Sequence, residues 1–567
     1  MLKRLLSICL LFLGLSLNPI YAQPSQLEKQ DLEPFIDGVM SAHLRDFHIP
    51  GAVIAVVKDD ELLFAKGYGY ADLAEKRPVD PEKTLFRVAS ITKLFVWTAL
   101  MQMVETDQLD LDEDVNTYLT AFKIPETFPE PITLRHFLTH TPGFEDKAIG
   151  LMPLDSDSMT PPLADILARE MPQRVHPPGT IPLYSNYGVA VVGHIIAQQS
   201  GMSFPEYLEQ NILQPLDMQH TTLRQPVPST LRADLATGYQ STGGRPRPRP
   251  FEFWPLAPAA GLSTTATDIA KFMLAHLQGG KNLLKPETAT LLHSPELAGD
   301  FSKNGGVHGF MEQNRNGIRT LSHGGSTIFF KSRLILAPEH QLGLFVSYNG
   351  NRSGAAASSL VRAFFDRYYP HAEPNKPTLI EGFQTRASKL VGTYMASRRN
   401  HSTYESLSRL GGFGLLSVEV SDNDSLILYE EGAASEWLEL EPLLYRRADG
   451  VDTLQFGTDA QGQASHVTFE NGPAAFYKKL VWYEQPGPYV AFLVFVLVTA
   501  IASILMTFRT FPDELPVGFV IRRLASFNGV LCTLFFGGFF WLLIAVGDNL
   551  VFGEPWYLTL LFILPWL

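Results

Sequence analysis

Residues 85–97 read Leu-Phe-Arg-Val-Ala-Ser-Ile-Thr-Lys-Leu-Phe-Val-Trp, and at their centre stands Ser90-Ile91-Thr92-Lys93, the one Ser-x-x-Lys of the chain. The residues before Ser90 read as a strand, and those after it, to about Glu105, as a long apolar helix. A serine hydroxyl is inert at its ordinary pKa and needs a base within hydrogen-bond reach. Spacing of i, i+3 on a helix sets the Lys93 stem beside the Ser90 oxygen. A helix N-terminus adds backbone N–H groups that favour developing negative charge. Ser90 therefore reads as a nucleophile, although serine is also a good helix cap and a lone tetrapeptide carries little weight.

Upstream, Ala52-Val53-Ile54-Ala55-Val56-Val57, a polar Lys58-Asp59-Asp60 and Leu62-Leu63-Phe64-Ala65 read as a hairpin. From about residue 110 to 290, helical stretches alternate with Pro- and Gly-rich loops, and strands return between Thr320 and Asn349 in Leu334-Ile335-Leu336 and Leu342-Gly343-Leu344-Phe345-Val346. Strands at both ends with helices between them predict an α+β domain over 23–372, its terminal strands sharing one sheet and its helical middle to one side. Glu373-Pro374-Asn375-Lys376-Pro377 opens a linker over 373–385. Residues 386–480 read as a small β-rich domain, a barrel or sandwich, from runs such as Leu426-Ile427-Leu428-Tyr429 and Trp437-Leu438-Glu439-Leu440 between Asp/Asn/Gly turns. With no reactive cluster in its composition, it is expected to be structural or accessory.

The ends of the chain address a membrane. Lys3 and Arg4, the apolar stretch Leu5 to Leu17 and Tyr21-Ala22-Gln23 read as a signal peptide over 1–22, an uncleaved anchor being the alternative. The only cysteines are Cys9 and Cys532, so the exported region holds no disulfide and relies on its own core. Residues 489–508 and 527–546 read as two transmembrane helices without a charge in either, and Gly537-Gly538 as a place for close helix packing. Arg509, Arg522 and Arg523 lie between them and Asp548 and Glu554 after them, which puts the first loop in the cytoplasm and residues 23 to about 485 outside. A third apolar segment, 556–567, is too short to span alone. A net charge of -13 argues against a general nucleic-acid binder. The 15 histidines show no paired metal spacing, so no metal or other cofactor is expected. Arg245-Pro246-Arg247-Pro248-Arg249-Pro250 reads as a solvated basic loop, with anionic cell-wall polymer or lipid headgroups as the alternative contact.

Two further motifs follow Ser90 in order. Tyr184-Ser185-Asn186 is the one Tyr-x-Asn, in a loop before an apolar helix, and His323-Gly324-Gly325-Ser326 holds the one His-x-Gly, where the chain re-enters a strand. With these three motifs, and with Leu138-Thr139-His140-Thr141-Pro142-Gly143-Phe144, Pro215-Leu216-Asp217-Met218 and Gly261-Leu262-Ser263-Thr264, the chain resembles the serine β-lactamase and penicillin-binding superfamily over about residues 30–370. The likeness is to its class C-like branch of serine hydrolases and D,D-peptidases.

The resemblance implies an antiparallel sheet flanked by helices with a helical subdomain, and it implies roles. Ser90 would carry the acyl group. Lys93 and Tyr184 would share its proton, the cation lowering the pKa of the phenol so that it acts as base. Asn186 would hold the substrate amide and position Lys93, and the backbone N–H groups of Ser90 and Ser326 would form the oxyanion hole. Gly324 and Gly325 would leave room for substrate along the strand. His323 stands where the lactamases carry lysine and would bind a substrate carboxylate less constantly. A Ser-His-Asp site built on His140 is set aside, because Thr139 to Gly143 reads as a loop motif of this family. The expected protein is a hydrolase tethered in a bacterial cell membrane, with its catalytic domain on the periplasmic side. Its partners would be a small-molecule or peptide substrate, possibly cell-wall derived, and the lipid bilayer. Rival readings are a catalytically silent penicillin-binding-like sensor, an efficient β-lactamase and an accessory part of a transporter.

Overall fold

The computed structural model describes residues 27–148, 151, 161–294, 307–370, 380–430, 432–450, 452–469, 472–506, 508–509 and 516–546. The signal-peptide reading of 1–22, the linker residues 373–379 and the apolar segment 556–567 lie outside these residues.

The strand Gly51–Lys58 holds no polar residue before Lys58 because both of its faces are covered. Val53, Ala55 and Val57 join one core with Leu94, Phe95 and Phe272, from the helices Thr92–Glu105 and Ala266–Leu277. Ala52, Ile54 and Val56 join a second core with Leu32, Ile36, Leu360 and Phe364, from the helices Lys29–Asp46 and Gly354–Tyr368. That split is the period-two alternation of a strand, applied to a run that is apolar on both sides.

The main sheet has eight strands in the order Arg77–Pro78, Glu61–Asp72, Gly51–Lys58, Leu342–Tyr348, Lys331–Ala337, Ile318–Ser326, Phe310–Arg315 and Val307–His308. All neighbours are antiparallel. Ala52 lies opposite Tyr348 and Lys58 opposite Leu342, so strands from the two ends of the domain share the sheet, as the sequence predicts. Helices between them, Thr92–Glu105 and Asn186–Ser200 among others, form the helical side.

Further along, eight antiparallel strands close a barrel, from Gly392–Ala396 to Gly472–Lys479, with Tyr394 paired to Lys479. Tyr394, Leu416, Trp437, Tyr445, Phe456 and Val467 fill it. The helical turn Phe383–Ala387 adds Phe383 and Ala387 to that core, so residues 383–385 pack with the barrel and are not linker.

The helices Pro486–Met506 and Pro516–Val546 then run antiparallel. Ser526 Oγ donates to the Ser503 carbonyl at 2.6 Å, and at Gly529 a Cβ would lie 2.6 Å from the Ala500 carbonyl. The second helix begins at Pro516 and not at Phe527, which places Arg522 and Arg523 on the helix instead of in a loop. Arg522 Nη1 donates to the Arg509 carbonyl at 2.7 Å. Among the described residues Gly537 meets nothing within 4 Å, and the close approach of the two helices lies about two turns earlier, at Gly529.

Candidate active site

Ser90 sits at a forced turn. The strand Phe86–Arg87 pairs with Ser263–Thr264, and the Val88 N–H donates to the Leu262 carbonyl at 3.1 Å. Ala89 then enters the left-handed region at φ 50, a strained conformation for a residue with a Cβ. Ala89–Ile91 make a single 3₁₀ turn, and the α-helix begins at Thr92, two residues later than the sequence suggests. Thr92 Oγ1 fastens the turn by donating to the Ala89 carbonyl at 2.5 Å and accepting from the Leu262 N–H at 3.1 Å.

One helical turn on, Lys93 is fully buried. Its Nζ lies 3.0 Å from Ser90 Oγ, 2.8 Å from Asn186 Oδ1 and 2.8 Å from the Ala259 carbonyl. None of these acceptors carries a charge. Burial, and then the Arg398 guanidinium, push the Lys93 pKa well below that of an ordinary lysine, with Asp146 opposing.

Tyr184 shares the pocket. Its phenol is hydrogen-bonded with Ser90, and Lys93 Nζ is 4.9 Å from its ring centroid. Burial pushes the phenol up to about 12, outweighing the Ser90 hydrogen bond and the Arg398 charge. The expectation that a neighbouring cation brings the phenol into the range of a base is therefore corrected. In a dry pocket desolvation penalises phenolate and ammonium together, so the neutral pair is favoured.

The Tyr184 loop is braced by His140, itself at φ 54. The Ser185 N–H donates to His140 Nδ1 at 3.2 Å, the Leu183 N–H to the His140 carbonyl at 2.7 Å, and the His140 and Tyr184 rings are 4.6 Å apart. Ser185 Oγ accepts the Gly188 N–H at 3.0 Å and caps the helix Asn186–Ser200, whose first residue supplies the Lys93 partner.

The strand Ile318–Ser326 forms the facing wall. His323 is buried, with its ring centroid 6.1 Å from that of Tyr184. Nδ1 donates to the Gly324 carbonyl at 2.7 Å, which leaves Nε2 an acceptor without a partner among the described residues. Burial and then Lys93 depress its pKa to about 3, so His323 is neutral at ordinary pH and offers a lone pair in place of a partial charge. A Cβ at Gly325 would stand 2.0 Å from the Val88 carbonyl, and one at Gly324 1.9 Å from Arg333 Nη1. The Gly325 contact is with backbone, so the protein's own packing requires that glycine, whereas the Gly324 contact is with the end of a flexible side chain that can move aside. Ser326, exposed at the strand end, accepts from Lys331 Nζ at 2.6 Å through Oγ. Gly325→Ala is expected to displace the Val88–Ser90 turn. A fall of several degrees in melting temperature together with slower acylation would show it, and an unchanged melting temperature would count against the packing argument.

The barrel domain also reaches this pocket. Between the strand Gly392–Ala396 and the 3₁₀ segment Tyr404–Gly411, Arg398 places its guanidinium 4.8 Å from the Tyr184 ring centroid and its Nε 3.1 Å from Asp146 Oδ2. Its neighbours anchor it. The buried Glu145 carboxylate accepts the N–H groups of His401 at 2.6 Å and Ser402 at 2.9 Å as well as the Ser402 hydroxyl. The Asp146 N–H donates to the Arg399 carbonyl at 3.1 Å, and Asn400 Nδ2 to the Asp146 carbonyl at 3.2 Å. Glu145→Ala is expected to loosen this docking, at a cost of about 3 kcal/mol for a charge-assisted set of hydrogen bonds. Faster proteolysis between the strand Gly392–Ala396 and Gly411 is the measurement, and an unchanged rate would refute it.

Sequence reading singles out Ser90, Lys93, Tyr184, Asn186 and His323, and the fold brings them into one pocket. It misses Arg398 and the Ala259 carbonyl, which no motif marks. Among the described residues no group of three or more His, Cys, Asp and Glu could hold a metal.

A family model described as Beta-lactamase matches residues 36–364. The protein named Protein flp from Staphylococcus aureus (strain MRSA252) is 29% identical over 332 residues, which are 57% of this chain and 64% of that protein. A beta-lactamase from Yersinia enterocolitica is 26% identical over 279 residues, 49% of this chain and 68% of its own. Of solved structures, the octameric penicillin-binding protein homologue from Pyrococcus abyssi aligns with TM-score 0.53 at 23% identity, covering 79% of this chain and 100% of that one. SurE aligns with TM-score 0.55 at 21% identity, covering 80% and 99%. The structural likenesses show the fold, and they take in more of the chain than the family match does. Because that match itself spans more than half of the residues, the protein belongs to the Beta-lactamase family.

Proposed function

We propose that this chain is a membrane-tethered, exported serine hydrolase that acts through an acyl-Ser90 intermediate on peptide-like or ester substrates, of D,D-peptidase, D-aminopeptidase or esterase type. The observation that carries the reading is the Lys93 amine, buried without an anionic partner and 3.0 Å from Ser90 Oγ. An amine driven towards its neutral form beside a hydroxyl is a general base already in position.

Ser90 Oγ attacks the carbonyl carbon while its proton passes to Lys93, directly or through the Tyr184 hydroxyl, and the carbonyl electron pair moves onto oxygen. The N–H groups of Ser90 and Ser326 receive that charge. Collapse breaks the bond to the leaving group, which departs with a proton returned through Tyr184. Water then repeats the sequence, giving its proton to the same pair, and Ser90 regains its own. Tyr184 works here as a neutral relay, in keeping with a pKa of about 12. Asn186 fixes the Lys93 amine, and the free His323 Nε2 offers an acceptor to a substrate N–H.

Two helices, Pro486–Met506 and Val517–Gly538, are long and apolar enough to cross a membrane. Phe492, Phe495, Val498, Leu505, Leu524 and Phe527 on them are uncovered, and the exposed Trp482 and Tyr483 stand just before the first, as interfacial aromatics do. These features support a tether.

The test is intact-mass detection of an acyl-Ser90 adduct on the full chain against an acyl-D-alanyl-D-alanine peptide, a D-amino acid anilide, an aryl ester and a penicillin. A transient adduct with product release is expected for at least one of the first three. An adduct that never turns over would favour the sensor reading instead, and no adduct with any of the four would overturn both.

A further inference from the structure

We propose that the face of the main sheet turned away from Ser90 carries a second binding site, where Arg315, Arg333 and Arg362 converge on a cavity that takes a phosphate monoester with a small apolar part. The site is independent of the acyl-Ser90 reading.

The first ground is placement. A cavity of about 440 Å³ lies between the strands Phe310–Arg315, Ile318–Ser326 and Lys331–Ala337, the helix Gly354–Tyr368 and Arg447, Asp449 and Asp452 of the barrel domain. Small-molecule sites occupy roughly 300–1,000 Å³. Side chains alternate along a strand, so His323 faces Tyr184 while Ser322 and Gly324 face the cavity. Arg333 stands opposite Gly324 in the register, and a Gly324 Cβ would lie 1.9 Å from its Nη1. That guanidinium therefore covers the back of the strand whose front carries His323.

The second ground is charge. The three arginines come from three separate elements and act on one another. Burial lowers the Arg315 pKa to about 10, Asp452 opposes, and Arg333 and Arg362 lower it further. Arg315 Nη2 donates to Gln313 Oε1 at 2.5 Å, and its Nε is buried without a partner among the described residues. Burial lowers Arg333 as well, and neither Arg333 nor Arg362 makes an ion pair or hydrogen bond with another described residue. Acids nearby are engaged elsewhere: Arg447 Nε lies 2.6 Å from Asp449 Oδ1, and Asp366 accepts from Asn316 Nδ2 at 2.9 Å. Guanidinium groups gathered out of water without counter-charge are costly, and an anion between them relieves that cost.

The third ground is the kind of anion. A guanidinium grips carboxylate or phosphate through a planar fork. One carboxylate satisfies one fork, whereas three guanidinium groups on three elements suit the tetrahedral oxygens of a phosphate dianion. Met311, Ile335, Val361 and Phe365 line the apolar part, which favours an organic ester over the inorganic ion. Arg362 and Asp366, both exposed, open the cavity to solvent.

Calorimetric titration of the full chain in detergent tests this with phenyl phosphate, dihexanoyl phosphatidic acid, inorganic phosphate and benzyl alcohol. Saturable binding of at least one ester is expected, at least about tenfold tighter than of inorganic phosphate, and none of benzyl alcohol. The tighter ester tells a soluble ligand from a lipid headgroup. Arg333→Gln is expected to weaken binding at least about tenfold, the worth of one charge-assisted hydrogen bond, and Arg333→Lys to restore part of it. Ser90→Ala should bind as wild type does, and so should Arg319→Gln, whose guanidinium is paired with Glu312 at 2.7 Å. Without ligand, Arg333→Gln should melt no lower than wild type, because it relieves repulsion and breaks no ion pair. Failure of both esters to bind overturns the proposal, as does inorganic phosphate or benzyl alcohol bound as tightly as the better ester. Affinity kept in Arg333→Gln, or lost in Ser90→Ala or Arg319→Gln, overturns it equally. A melting temperature several degrees lower in Arg333→Gln would mark a structural guanidinium and overturn it too.

Discussion

Ser90→Ala protein is expected to give no acyl adduct with any probe and to lose about four to six orders of magnitude in turnover, the range for removing a serine nucleophile. The fold should survive, because the Ser90 side chain lies at the pocket and not in a core, and the Ala89–Ile91 turn is held by Thr92 and Leu262. A melting temperature within a few degrees of wild type would show that the loss is chemical. Intact mass is the decisive measurement. Labelling that persists in Ser90→Ala would mean that another residue carries the acyl group, and the assignment would fail.

Replacing Lys93 should produce the next largest effect. Lys93→Ala is expected to slow acylation by about 10²- to 10⁴-fold, the usual contribution of a positioned base. Lys93→Arg should fare no better, because a guanidinium keeps its proton. The pH profile gives the sharper test. The working form is the neutral amine, and the Lys93 pKa lies well below the ordinary lysine value. kcat/KM should therefore fall as pH drops through that lowered pKa and level off above it. Tyr184, at about 12, places any alkaline limb far higher. His323, at about 3, is already neutral from pH 5 to 8, so His323→Asn should change the height of the profile there and not its shape. An acid limb that survives in the residual activity of Lys93→Ala would show that some other group is the base.

Physical reasons separate what the residues announce from what they conceal. A doubly buried strand has to be apolar throughout, so Ala52 to Val57 identifies itself. Half of the barrel is equally plain, as in Leu426–Glu430 and Ala433–Glu441, while Leu444–Arg447, only four residues long and ending in two arginines, gives no such sign. The second apolar helix begins at Pro516, earlier than hydropathy indicates, because Arg522 and Arg523 break the apolar run while leaving the backbone helical. Ser90, Lys93, Tyr184, Asn186 and His323 are legible because i, i+3 spacing and short motifs are local properties of the chain.

The amino-acid sequence by itself determined the α+β domain, the order of the three motifs and the apolar hairpin, since periodicity and spacing are written along the chain. Tertiary structure alone decided the charge states, because burial is a property of the packed pocket: Lys93 and Tyr184 are both driven towards neutrality, and His323 becomes an acceptor. It also decided that a domain read as accessory brings Arg398 to the Tyr184 ring. A guanidinium far along the chain becomes part of the site only when Glu145 and Asp146 dock its loop, and no local pattern encodes that contact.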